Sequence, residues 1–288
     1  MLAIGCQSAP SLQQQVEARI AGFRGTVGVY AQHLQRGETV AIAADEPFPT
    51  ASMIKVPILG ALLDKVEQGE LDYHAELTYT KERLYAGEDL VGAFADGAKV
   101  VLAKVAMLMI TTSDNTGALW CQELAGTGTA INAWLAAQDC VVTRVNSRTP
   151  GREADWRRFG WGQTTPREMA TLFVRARRGE LISPAASEEF LRCTTRIYWD
   201  SHALAAIPPW VHTASKQGAV DASRSEVVLV DAPHGTYVFC VITKDQQDHS
   251  WGPDNEGFVL LRDLSALLWR HFEPDLPYAP PDGMQRYW

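Results

Sequence analysis

Ser52 and Lys55 stand three residues apart in PTASMIKVPIL (residues 49–59), an otherwise apolar run with no other charge. A serine hydroxyl is a weak nucleophile and needs a base. A lysine titrates near about 10.4 in water. Burial among Met53, Ile54, Val56 and Ile58 would disfavour its charged form and bring the amine into the range of a usable base. If the chain is helical from Thr50 or Ala51, residues i and i+3 share a face, so hydroxyl and amine can meet. Ser52 then sits in the first turn, where free N–H groups and the positive end of the dipole favour developing negative charge. The competing reading is a solvated lysine on a helix face, and a lone Ser-x-x-Lys does not choose between them. Pro57, inside the same helix, is expected to bend or loosen the turn that holds Lys55.

Two further stretches change the balance. TTSDNTG supplies Ser113, Asp114 and Asn115 after the apolar helical run 100–110, and HTASKQGA supplies Lys216, Gln217 and Gly218 in a strand-like segment. Three motifs in this order are far more specific than any one of them. With them the chain resembles the serine β-lactamase and penicillin-binding superfamily, and within it the class A β-lactamases. TTPREMA, residues 164–170, is similar to the segment that closes the Ω loop of that family. The resemblance implies a serine hydrolase working through an acyl-enzyme. Ser52 attacks the acyl carbon, Lys55 takes its proton, and Ser113 passes a proton toward the leaving nitrogen. Asn115 hydrogen-bonds the substrate side-chain amide, and Lys216 supplies positive charge. The N–H groups of Ser52 and Ala219 form the oxyanion hole. Gly218 leaves room for a substrate backbone along the strand. Arg224 pairs with the substrate carboxylate, or is an exposed hairpin charge.

Two departures from the family pattern stand out. Gln217 occupies the place of a threonine or serine whose hydroxyl binds the substrate carboxylate; an amide is longer and differently shaped. The glutamate that activates the deacylating water falls, counted without gaps from Ser113, on Thr149, and the asparagine that follows it falls on Glu153. Glu153 either approaches the same water from the other side or is a surface glutamate. Without an effective base the acyl-enzyme would persist. The resemblance therefore implies β-lactam hydrolysis, slow if no base is in place. The alternatives are a D,D-peptidase or esterase with the same nucleophile, or a β-lactam or peptidoglycan sensor that is acylated without turnover.

The elements that must position these residues can be read from periodicity. Residues 11–23 have apolar positions at helical spacing behind a serine cap. Residues 26–31 and 39–43 read as strands joined by a hairpin-type connection, and residues 225–231 and 236–244 as a second hairpin. Residues 211–219 supply a fifth strand, and 255–272 a closing amphipathic helix. The middle of the chain reads as helical. One start there is well specified: Thr165 caps, Pro166 takes the first turn and Glu168 can reach back to the cap. The expected class is α+β: a five-stranded antiparallel sheet covered by N- and C-terminal helices, plus an all-helical lobe, with the active site between them. Residues 1–48 and 205–288 would form the sheet subdomain. Residues 49–204 would form the helical one, with an Ω-like loop at about 144–166. GTGTA, residues 126–130, lacks the preceding strand of a nucleotide fingerprint and reads as a helix–helix turn.

Composition narrows the partners. The chain has 288 residues, a formal net charge of −8 and five scattered cysteines. An acidic chain without clustered Lys and Arg is a poor nucleic-acid binder. The cysteines lack metal or disulfide spacing and the seven histidines show no ligand motif. No metal or other cofactor is expected, and no run of apolar residues is long enough to span a bilayer. The expected partner is a small β-lactam or peptidoglycan-type substrate, met by a monomer. The small residues before Cys6 loosely resemble the cleavage end of a lipoprotein signal but lack its charged and apolar regions. Export is implied by the family resemblance, and a cytoplasmic chain by the incomplete signal.

Overall fold

The computed structural model describes residues 9–87 and 89–288. Cys6, and with it the signal-like N-terminus, lies outside them. Helix α1 (Leu12–Ile20) opens on a complete capping box: Ser11 Oγ accepts from Gln14 N while the Gln14 side chain accepts from Ser11 N. Strands β1 (Thr26–His33) and β2 (Thr39–Ile42) form the first hairpin. After the short β3 (Phe48–Pro49) comes a 3-10 turn, Ala51–Ile54, and then helix α2 (Lys55–Glu67).

The next stretch is mostly helical. Strands β4 (Glu76–Thr78) and β5 (Lys99–Val101) pair with each other, and helices α3 (Leu102–Thr111), α4 (Asn115–Leu124) and α5 (Thr127–Ala137) follow. Gly126, in left-handed conformation, makes the turn from α4 to α5. The segment that reads as an Ω-like loop contains β6 (Arg144–Val145), helix α6 (Glu153–Phe159) and β7 (Gly162–Thr164). Helices α7 (Pro166–Arg177) and α8 (Pro184–Thr194) lead to the long strands β8 (His212–Val220), β9 (Ser223–Ala232) and β10 (Gly235–Lys244). Helix α9 (Glu256–Phe272) follows, and a short 3-10 turn, Met284–Tyr287, comes after it.

The main sheet is five-stranded and antiparallel in the order β2-β1-β10-β9-β8. Both its faces are covered, so β9 and β10 are buried along nearly their whole length. One face, with Val228, Val230, Phe239 and Val241, packs against α1 and α9. The other, with Val227, Leu229, Val238 and Cys240, continues into a larger core with residues of α2, α3, α4, α7 and α8. β8 is an edge strand; apart from an isolated bridge between Ala214 and Thr195, its outer side pairs with no other strand among the described residues.

Two local expectations need correction. Thr165 caps α7 as expected, its Oγ1 accepting from Glu168 N. The Glu168 carboxylate does not reach back to the cap. It accepts instead from the N–H groups of Val141, Val142 and Thr143 and from Thr143 Oγ1, fastening the segment that enters β6. Pro57 does not bend a helix interior. The chain runs first as a 3-10 turn, and α2 begins at Lys55, so Pro57 falls in its first turn, where no donor is required.

Candidate active site

The 3-10 turn brings Ser52 and Lys55 together, because i and i+3 eclipse in that geometry. Lys55 Nζ lies 3.1 Å from Ser52 Oγ. The lysine is fully buried, not solvated. Burial pushes its ammonium down to about 7, against the opposing pull of Asp89 and Asp114. The preceding Ala51 is held at φ 44°, a left-handed conformation that costs energy in a non-glycine residue. Thr50 N donates to Gly162 O at 2.9 Å, tying this turn to β7.

A second strained turn faces the first. Ser113, between α3 and α4, has φ 62°. Its Oγ sits between two ammonium groups, 3.0 Å from Lys55 Nζ and 3.1 Å from Lys216 Nζ. Lys55 also donates to Ser113 O and to Asn115 Oδ1, the latter at 2.7 Å. The middle residue of the motif has a separate task. Asp114 caps α4 by accepting from Gly117 N and holds the loop before it by accepting from Val91 N. Lys216, on β8, is fully buried as well. Burial first, and the Lys55 charge second, push it well below the usual lysine range. Burial thus brings Lys55 into the range of a usable base beside Ser52, and Ser113 links the two amines.

The free edge of β8 supplies the remaining donor. Arg224, the β9 partner of Ala219, turns its N–H and C=O toward Thr243 Oγ1 on β10. In an antiparallel ladder the Ala219 N–H and C=O then point away from β9, toward the open edge. Gln217, two residues earlier, shares that orientation, and its carbonyl accepts from Lys216 Nζ at 3.0 Å. Its side-chain Oε1 also accepts from Lys216 Nζ. A Cβ on Gly218 would lie 2.6 Å from Thr50 O and 2.8 Å from Ser225 Oγ. The glycine is thus needed for the nucleophile turn to pack on β8, where the sequence suggested room for substrate.

Two cavities meet at Ser52, each of about 580 Å³. Tyr85, Trp161 and Lys244 line the first, and Ser113, Gln217 and Trp251 line the second; Asn115 and Ala219 border both. Three predicted positions are not brought to Ser52. Thr149 is buried: its Oγ1 donates to Ser147 O, and its side chain fills the space beside Gly128 of α5. Glu153 is exposed at the start of α6, accepts from Gly151 N, and lines a separate cavity of about 660 Å³ that does not include Ser52. Arg224 is fully buried with its guanidinium between Trp251 and Phe258.

Sequence reasoning missed several groups. From residues 144–166, those lining the first cavity are Arg158, Phe159, Gly160 and Trp161, none of them a carboxylate. Carboxylates share the cavities elsewhere: Asp245 the first and Asp89 the second. Asp89 is held by Thr116 N at 2.8 Å and Thr116 Oγ1 at 3.2 Å. Glu226 is buried behind β8, accepting from Ser215 Oγ at 2.6 Å and Ala203 N at 2.8 Å. Burial pushes it up to about 7. A glutamate directly before the apolar run Val227–Val230 was the available signal for it.

Comparison with known proteins agrees with this geometry. Residues 11–272 match the model of the β-lactamase enzyme family. A β-lactamase of Streptomyces fradiae is 31% identical over 202 residues, covering 64% of this chain and 63% of that protein. The chain thus spans somewhat less than two thirds of that relative. Among solved structures, PBP-A superposes with a TM-score of 0.81 at 26% identity, over 91% of this chain and 96% of PBP-A. A mutant of PBP-A in an acyl-enzyme complex with penicillin G gives the same values. The β-lactamase of Sphaerobacter thermophilus gives a TM-score of 0.81 at 21% identity, over 91% of this chain and 98% of that one. The α+β architecture of these proteins is the one described above, and the chain belongs to the β-lactamase enzyme family.

Proposed function

We propose that the protein is a serine hydrolase that opens the β-lactam amide through an acyl-enzyme on Ser52 and releases the acyl group slowly. One observation carries the first half: a serine hydroxyl 3.1 Å from a fully buried lysine amine, in a turn that also meets Ser113 and the free edge of β8. Lys55 in its neutral form takes the Ser52 proton as Oγ bonds the carbonyl carbon. The developing oxyanion is received by the Ser52 and Ala219 N–H groups. Collapse breaks the C–N bond, and the amine leaves with a proton delivered through Ser113. Lys216 Nζ lies 3.1 Å from that hydroxyl.

The second half rests on the segment 144–166. No carboxylate from it shares a cavity with Ser52. Water would then lack the base that class A enzymes supply from this segment. This observation favours a second reading: a penicillin-binding type of protein in which the acyl-enzyme is the end state. PBP-A, similar over most of the chain, has a mutant described as an acyl-enzyme complex with penicillin G. A small substrate suits the cavity sizes. Among the described residues no helix is long and apolar enough to cross a membrane.

Mixing the protein with a chromogenic cephalosporin, followed by rapid kinetics and intact mass, tests both halves. A burst with a mass adduct on Ser52 and a slow steady state is the expected result. An adduct that never decays selects the second reading. Absence of any adduct, while small p-nitrophenyl esters are cleaved, overturns the lactam assignment.

A further inference from the structure

The second cavity is walled by rings, and the way they are held has a consequence for substrate choice. Arg224 lies between two of them, its Cζ 4.5 Å from the Trp251 centroid and 4.7 Å from that of Phe258. His202 stacks on Phe258 at 4.1 Å with an interplanar angle of 7°. Trp251, Arg224, Phe258 and His202 thus form one layered wall, held together by cation–π and stacking contacts. Opposite it, Trp199 is pinned by its Nε1–H to Thr112 O at 2.9 Å. Trp199 is 41% exposed and Trp251 59% exposed, so neither is fully covered by the described residues.

The cations that could grip a carboxylate here are already engaged. The Arg224 guanidinium donates to the carbonyls of Val220 and Ser250. Arg262 donates to Ser201 O and Pro253 O and lies over the Trp288 ring. Lys216 is saturated by Ser113 and by both oxygens of Gln217. Ser113, the hydroxyl closest to a departing amine, lines this cavity and not the other. The ring-walled space therefore lies on the leaving-group side of the scissile bond.

We propose that this cavity is an aromatic subsite, taking a flat aryl or heteroaryl group carried on the leaving-group side of the acyl donor. The proposal rests on the acyl-transfer reading of Ser52. Rings held rigidly and half open can receive a further ring without rearranging.

The test uses two cephalosporins alike except at C3, phenyl in one and methyl in the other, since C3 belongs to the ring that carries the scissile nitrogen. The second-order rate of Ser52 acylation is read by quenched-flow intact mass and normalised to each compound's alkaline hydrolysis. The parent is expected to favour the phenyl compound by about tenfold, the worth of one good ring contact. Trp251→Leu should collapse the preference between the two compounds, and Trp199→Leu should reduce it independently. Equal normalised rates in the parent overturn the subsite and leave the acyl-transfer reading intact. So does a preference that survives both substitutions. If neither compound acylates Ser52, the acyl-transfer reading falls and the leaving-group subsite falls with it.

Discussion

The wall of the cleft that carries Ser52, Ser113 and Lys216 and the wall built from residues 144–166 are furnished very differently. On the first, two fully buried lysines converge on Ser113 from different elements, and every polar atom between them has a partner. Two left-handed residues, Ala51 and Ser113, hold the turns open toward each other, strain of a kind that persists when the surroundings over-determine it. On the second, Arg158 lines the first cavity, but Thr149 and the carboxylates do not line either Ser52 cavity. Thr149 is packed against α5, Glu153 faces solvent, and Arg152 bonds Asn146 and Gln163 to brace the segment internally. Taking up an acyl group and giving it back to water thus depend on separate pieces of chain, and one can be complete without the other.

The comparison can be broken most directly at Ser52. Ser52→Ala should lower acylation by about 10⁴-fold or more, the scale seen when a covalent nucleophile is removed. An intact-mass adduct on that variant would place the nucleophile elsewhere. Next in size, Lys55→Ala should slow acylation by about 10²–10⁴-fold, the usual worth of a general base. The pH profile sharpens this point. A base works only when neutral, so acylation by the parent should climb with pH up to about 7 and level off above it. A rate that goes on rising into the ordinary lysine range would mean that burial does not depress Lys55.

The remaining predictions concern the other wall. Thr149→Glu puts a carboxylate where the ungapped count from Ser113 places the class A glutamate, yet the side chain there is turned into α5, where a Cβ on Gly128 would lie 1.8 Å from Thr149 Oγ1. Overpacking should destabilise the fold by about 1–3 kcal/mol without speeding deacylation. Denaturant unfolding and adduct decay measure the two effects. A faster decay would show that the segment can re-aim this residue. The smallest effect is expected for Glu153→Gln, with acylation and adduct decay both unchanged, since the carboxylate is exposed and lies outside the Ser52 cavities. Slower decay in that variant would make Glu153 the missing base after all.

Much of the architecture was legible because its signals are local. The capping boxes, hairpins and apolar periodicities place α1, β1, β2, β9, β10 and α9 within a few residues of their observed bounds. Glu168 shows where that reading stops. Its spacing from Thr165 satisfies a capping box, but three N–H groups of residues 141–143, distant in sequence, compete for the same carboxylate and hold it. Arg224 shows the same limit for the site. Its position next to β8 suggested a partner for substrate, while the rings that capture it come from residues 251 and 258.

What the sequence determined alone is the set of candidate reacting groups, because Ser52 and Lys55 are close along the chain and the three motifs arrive in a diagnostic order. Tertiary structure decided the state and direction of those groups. Lys55 is a candidate base only because distant helices exclude water from it. The Ala219 N–H faces the cleft only because Arg224 turns its own backbone toward β10. Thr149 and Glu153 look away from Ser52 because α5 and solvent claim them. Burial, strand-edge polarity and side-chain direction are set by residues far apart in sequence, and no local spacing encodes them.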